Sequence, residues 1–183
     1  EFVSMQGDLF IGTKYYSFTY GQPLSEKDGF AVSWMRITPQ DQDLVSSTGS
    51  IEGSFSAKDD AMILSYGRSF SNISLGINCK YIIRSLYNAT GSGFGFDLGA
   101  YYQASSSLSY ALVAKDITGT QISWSSGTVD KVLPDLKLGV GYKPLDNLTL
   151  AGEVSEKIKE GHSIKTNFGA EWWPLGMLAL RAG

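Results

Sequence analysis

The chain has 183 residues, enough for one domain, and its formal net charge of −3 gives no basic surface for nucleic acid. It contains one cysteine and one histidine, which excludes an intrachain disulfide framework and most zinc sites. Charged residues make up only 18% of the chain, whereas glycine accounts for 21 residues. We therefore expect no nucleic-acid partner, no bound cofactor and no metal ion.

Alternation of apolar and polar residues is the dominant pattern, and it predicts strands along most of the chain. Weak alternation covers residues 9–20, 29–38, 49–57, 61–70, 119–125 and 147–156, and strong alternation covers residues 73–87, 94–103, 108–115, 136–143, 164–172 and 178–182. Successive side chains of a strand point to opposite faces, so each segment has an apolar and a polar face. Turn residues separate the segments, and no window shows a helical period. The pattern predicts about ten to twelve strands in a single domain spanning residues 1–183.

The segment GSGFGFDLGAYYQA, residues 91–104, has the glycine content of a phosphate-binding loop. The dinucleotide fingerprint would need glycine at position 96 or 98, where phenylalanine and leucine stand. No helix follows whose N-terminus would hold a phosphate. A strand explains the glycines better, because Gly93, Gly95 and Gly99 share a face with Asp97 and leave room there.

The residues that carry chemistry in other proteins are few here, and they form no catalytic pattern. His162 lies in a turn-like stretch around residues 160–161, which is typical of a solvated loop residue. Cys79 lies on an apolar strand face and is expected to be an inert hydrophobe. Glu153 and Glu171 both lie on polar faces, where they fit ion partners better than a hydrolytic pair. We predict no catalytic, cofactor-binding or metal-binding residues and no enzyme activity.

Two fold classes share this strand pattern: a soluble β-sandwich, and a transmembrane barrel whose apolar face meets lipid. The apolar runs of about nine to eleven residues match tilted membrane strands, whereas soluble strands are nearer five or six. The polar faces are rich in Gly, Ser and Asn, which suits a hydrated lumen. Tyrosine and tryptophan cluster near strand ends, as in interfacial girdles: Tyr15, Tyr16, Tyr101, Tyr102, Trp172 and Trp173. The sequence therefore favours an all-β, antiparallel, up-and-down transmembrane barrel.

In a barrel, isolated charges on the polar faces would line the lumen. The lumen-facing polar candidates are Lys80, Arg84, Asp97, Lys115, Lys137, Glu153, Glu171 and Arg181. A few apolar residues interrupt the polar faces and are candidates for an apolar pocket or for local packing: Ile82, Leu86, Tyr101 and Val113. The polar insert of residues 38–50 is expected to be an extracellular loop.

Several segments, taken in order, resemble the PorV/PorQ-type family of outer-membrane proteins, which is related to the FadL-type barrels. These segments are SLGINCKYI (residues 74–82), GSGFGFDLGA (91–100), LPDLKLGVGY (133–142), GAEWW (169–173) and LRAG (180–183). Each motif is short, and the order and spacing together make the resemblance specific. It extends over about residues 27–183 and is strongest after residue 64.

The resemblance implies a barrel of about fourteen strands in the outer membrane of a Gram-negative bacterium, in contact with outer-membrane lipid and without enzyme activity. Some relatives act in type IX secretion, which implies secretion-system proteins or secreted cargo as partners. FadL-type relatives pass hydrophobic small molecules across the membrane, and this is the first alternative. A soluble β-sandwich binding module is the second. Relative to the family pattern the chain is expected to be a piece of a longer protein, incomplete at both ends.

Overall fold

The structure is a computed structural model that describes residues 1–9, 12–158 and 163–183. Within these ranges the chain forms fifteen β-strands: β1 (Phe2–Asp8), β2 (Lys14–Pro23), β3 (Asp28–Thr38), β4 (Gln42–Val45), β5 (Ile51–Phe55), β6 (Ala57–Phe70), β7 (Ile73–Leu86), β8 (Ala89–Gln103), β9 (Leu108–Lys115), β10 (Gln121–Trp124), β11 (Val129–Lys131), β12 (Asp135–Leu145), β13 (Leu148–Lys157), β14 (Ile164–Leu175) and β15 (Leu178–Ala182). No helix in the described part is long and apolar enough to cross a membrane. His162, the predicted turn at residues 160–161 and part of the predicted strand at residues 9–20 lie outside the described residues.

Eleven of the described strands follow one another as hydrogen-bonded neighbours, in the order β1-β2-β3-β6-β7-β8-β9-β12-β13-β14-β15. The pairings with a defined register are antiparallel, for example β2 with β3 and β12 with β13. The two remaining pairs are hairpins: β10–β11, which joins β8, and β4–β5, which forms a two-stranded sheet. The up-and-down arrangement of the eleven-strand series agrees with the predicted direction and with the predicted ten to twelve strands, and the four strands of the two hairpins bring the total to fifteen.

Four short elements differ from the sequence prediction, and one of them is β11, which lies where no strand was predicted. β1 was not predicted, because apolar and polar residues alternate poorly in FVSMQGD. β4 lies within the insert of residues 38–50, which was expected to be an extracellular loop and for which no strand was predicted. The weak strand predicted at residues 119–125 is shorter than expected, and as β10 it belongs to a hairpin rather than to the main series of strands.

The Cα positions group the chain into two compact units. The first contains Glu1–Tyr66, Asn78–Gly95 and Gly119–Val132, and the second contains Gly67–Ile77, Phe96–Thr118 and Leu133–Gly183. Strands β6, β7 and β8 contribute residues to both units. A single domain over residues 1–183 therefore stays a prediction.

The apolar side chains of the strands are exposed rather than packed into a core. Ile122 is the only buried hydrophobic residue in the described part of the chain. On neighbouring strands of the second unit, Leu138, Val154 and Phe168 are 57%, 46% and 76% exposed. A water-soluble sandwich buries one apolar face of each sheet, because that burial stabilises it. The exposed apolar faces therefore favour lipid contact and speak against the soluble alternative.

The connections between successive strands of the series alternate in character. Every second connection is short: residues 24–27, 71–72, 104–107, 146–147 and 176–177. The other set contains the tight turn at residues 87–88 and the two long connections, residues 39–56 and 116–134, each of which carries a hairpin. In an antiparallel series, alternate connections belong to opposite ends of the strands.

Candidate functional site: the polar face and its hairpin

The strand register of the second unit places the charged candidates on one face. Residues paired directly across antiparallel strands point to the same side of a sheet. Lys115 pairs with Asp135, Glu153 pairs with Asn167, and Glu171 pairs with Arg181. Following the register from β8 to β15 gives one polar face that also holds Asp97 and Lys137. In the first unit, Lys80 and Arg84 occupy alternate positions of β7 and share a face of that strand. That these residues face a lumen stays a prediction.

The two glutamates of this face are engaged in ion pairs and hydrogen bonds. Lys137 Nζ lies 3.3 Å from Glu153 Oε1, and the Asn167 side-chain amide donates to the same oxygen at 3.2 Å. The Arg181 guanidinium donates to Glu171, whose other oxygen accepts from Trp173 Nε1 at 2.8 Å. Both glutamates therefore have cationic partners in the structure.

The remaining candidates have mixed surroundings. Arg84 Nε lies 3.6 Å from a carboxylate oxygen of Asp59, in a partly exposed ion pair of the first unit. Asp97 is 7% exposed and accepts a hydrogen bond of 2.9 Å from the backbone N–H of Asp116. Because Asp116 begins the long connection after β9, Asp97 fixes the point at which that connection leaves the strand. Among the described residues, no group of three or more His, Cys, Asp or Glu could hold a metal ion.

The glycine-rich part of β8 lies under the hairpin β10–β11. In their pairing, Ser123 lies opposite Ser92 and Trp124 opposite Gly91. A Cβ atom at Gly91 would lie 2.8 Å from Trp124 Cδ2, and one at Gly93 would overlap the carbonyl oxygen of Gln121. Only glycine permits so close an approach of a side chain at Gly91 and of a backbone at Gly93. The glycines therefore make room for a protein element rather than for a phosphate.

Buried side chains and backbone hydrogen bonds hold this hairpin in place. Ile122 is fully buried and Thr120 is 1% exposed. The Ser125 backbone N–H donates to the Thr90 carbonyl of β8 at 2.7 Å, and the Val132 N–H donates to the Thr120 carbonyl at 2.8 Å, which joins the two ends of the hairpin. The feature of the sequence that indicates a packed hairpin is the run of glycines at alternate positions, because it leaves one face of β8 without side chains.

A cavity of about 480 Å³ lies in the second unit, along the polar face. Small residues of neighbouring strands form its floor on that face: Ala111, Gly139, Gly141, Ala151 and Gly169. Tyr101, Glu153 and Asn167 stand beside this floor. An aromatic wall beside a floor without bulky side chains leaves room for a flat or extended group.

Aromatic residues gather at the short-turn ends of strands in the second unit, on the apolar face. The rings of Tyr102 and Tyr110 stack with their centroids 6.5 Å apart. The register places Tyr142 and Trp172 on the same face. All four are between 41% and 48% exposed, which is typical of an interfacial girdle. Tyr101 and Trp173 were predicted as girdle residues, but they lie on the polar face.

The chain is similar in structure to OmpT of Vibrio cholerae, an outer membrane protein. The in-vitro folded form matches with a TM-score of 0.62 and 7% identity, covering 94% of this chain and 51% of that chain. The outer-membrane expressed form matches with a TM-score of 0.61 and 7% identity, covering 88% of this chain and 48% of that chain. The trimer form matches with a TM-score of 0.61 and 9% identity, covering 86% of this chain and 54% of that chain. This chain thus spans about half the length of the OmpT structures that it matches. No family model matches the sequence, and a comparison with curated proteins gives no match.

At such low identity the likeness is one of fold, and it agrees with the alternating faces and the exposed apolar side chains. It also supports the predicted location in a bacterial outer membrane. The chain has the all-β, antiparallel, up-and-down fold of outer-membrane β-barrels.

Proposed function

We propose that this chain is part of a non-enzymatic outer-membrane barrel that binds protein partners, as PorV/PorQ-type components of type IX secretion do. The segments between residues 74 and 183 that resemble this family, and the order in which they occur along the chain, support the proposal. The partners would be secretion-system proteins or secreted cargo. Binding would need no chemistry from the barrel itself.

The observation that carries the proposal is the length and structure of two connections. Residues 39–56 and 116–134 each contain a hairpin, whereas the alternate connections are short turns. Outer-membrane barrels have short turns on the periplasmic side and longer loops outside the cell. The β4–β5 hairpin would therefore be presented at the cell surface, with Val45 and Ile51 60% and 68% exposed. Exposed apolar side chains on a surface loop suit contact with another protein.

The test replaces residues 41–55 of the full-length protein with a short Gly-Ser turn and then measures which secretion proteins co-purify. We expect the partners to be lost while the heat-dependent gel mobility of the barrel is unchanged. The matched control replaces the turn of residues 104–107, which belongs to the opposite set of connections, and should retain the partners. Partners retained equally by both variants would contradict the proposal.

A second function, passive transport of hydrophobic compounds, is favoured by the cavity beside Tyr101. Val113 shares its face of the sheet, because it pairs with Gly99 and Lys137. These residues would offer an apolar stretch within a polar surface. A deletion strain that secretes normally but loses uptake of a fluorescent fatty acid would support transport and count against the secretion role.

A further inference from the structure

Three neighbouring strands of the second unit place two lysines on either side of a serine. Lys137 on β12 pairs with Ser155 on β13, and Ser155 pairs with Lys165 on β14. Since adjacent strands lie about 4.8 Å apart, the backbones of the two lysines are about 10 Å apart on one face. The serine between them is 7% exposed and carries no charge.

The next row of the same face has a carboxylate at the equivalent position. There Asp135 lies between Lys115 and Lys157 and is opposite both in the strand register. In the row of Lys137 and Lys165 the central residue also lies between two lysines. That residue is Ser155, so a hydroxyl group takes the place of the carboxylate in the other row. Two lysines on one face with only a hydroxyl group between them create a positive potential that attracts an anion from solution.

A cavity of about 470 Å³ lies over this row. Its lining contains three lysines and one carboxylate, together with hydroxyl and amide groups: Lys137, Lys157, Lys165, Asp135, Ser155, Ser163 and Asn167. Lys137 is held by Glu153 at 3.3 Å, which fixes its position beside the cavity. In the described part of the chain, the ammonium groups of Lys157 and Lys165 have no ion pair within 4.0 Å.

We propose that this cavity binds a multiply charged oxyanion, such as the phosphate groups of a phosphorylated solute, between Lys137 and Lys165 and over Ser155. The lysines would neutralise the anion, and the hydroxyl and amide groups would donate hydrogen bonds to its oxygens. The volume exceeds that of a bare phosphate, so a larger solute carrying the anion fits. The site does not depend on the secretion role, because it lies on the polar strand face and not on the long loops.

The experiment titrates inorganic pyrophosphate into the full-length protein in detergent micelles by calorimetry, with chloride holding the ionic strength constant. Lys165→Gln removes one flanking charge from an exposed position. Ser155→Asp supplies the carboxylate that the neighbouring row already has. Each variant should weaken pyrophosphate binding about tenfold or more, since a hydrogen bond to a charged group contributes about 1.5–3 kcal/mol.

The matched control is Lys115→Gln, which removes a lysine from the row that contains Asp135 and should leave the affinity within about twofold of the natural protein. The heat-dependent gel mobility of each variant checks that it folds, and Lys165→Gln tests the proposal even if the buried Ser155→Asp change does not fold. Absence of measurable pyrophosphate binding by the natural protein would overturn the proposal. Equal affinities for the natural protein and Lys165→Gln, or an equal loss in Lys115→Gln, would do the same.

Discussion

Glycines on a single strand have different roles, and their surroundings separate those roles. Gly91 and Gly93 lie under the hairpin β10–β11, where a side chain would meet Trp124 or the backbone of Gln121. Gly99 lies on the same face of the same strand, yet nothing stands within 4 Å of the position that its Cβ would take. The close approach of the hairpin therefore requires the first two glycines and leaves the third free to change.

We expect Gly93→Val to displace the hairpin β10–β11. The added side chain would overlap the Gln121 carbonyl, and such overpacking costs about 1–3 kcal/mol. Trypsin should then cut after Lys131, which lies within the hairpin, faster than in the natural protein. Gly99→Val is the matched control and should be cut at the natural rate. Equal rates for both variants would show that the hairpin is not held against Gly93.

The sequence alone predicted which residues lie on the polar strand faces, but it did not predict which distant residues contact one another there. The alternation of polar and apolar residues was enough to place Asp97, Lys137 and Glu153 on polar faces, because strand geometry has a fixed period of two. The contact of the hairpin with Gly91 depends on residues that are distant in the chain, and no local pattern encodes such pairing. For the same reason, the rows of lysines across neighbouring strands became visible only from the register between those strands.

At the scale of the element, β12, β13 and β14 show what stabilises each strand face. Leu138 pairs with Leu112 and Val154, and together they form an apolar surface that is about half exposed. On the other face, Lys137, Glu153 and Asn167 form a polar group with an ion pair and a hydrogen bond. Lipid would cover the first face, and water can hydrate the second.

We expect Leu138→Arg to destabilise the protein in lipid vesicles by about 2–4 kcal/mol, the cost of a charge at the middle of the bilayer. In a soluble protein the same exposed position would tolerate arginine within about 0.5 kcal/mol. The measurement is the free energy of unfolding in urea from vesicles. Ala151→Arg, at an exposed position of the polar face whose strand neighbours are Gly141 and Gly169, is the control and should be nearly neutral. A Leu138→Arg cost no larger than that of the control would contradict lipid contact at this strand.

At the scale of the whole molecule, the likeness to OmpT and the exposed apolar faces lead to the same fold. Strand periodicity predicted the strands, and the length of the apolar runs, the small polar residues and the aromatic residues near strand ends favoured the barrel over the soluble sandwich. The short elements within long connections were harder to predict. β4 and β11 have four and three residues, too few to show a clear period. The total of about fourteen strands and a role in secretion stay predictions.

The most direct test of the central claim, that the apolar strand faces contact lipid in an outer-membrane barrel, is fractionation of the native cell combined with gel mobility before and after boiling. We predict that the full-length protein is recovered in the outer membrane and that its mobility shifts on boiling. Recovery in the soluble fraction, with no shift in mobility, would contradict the lipid-facing assignment.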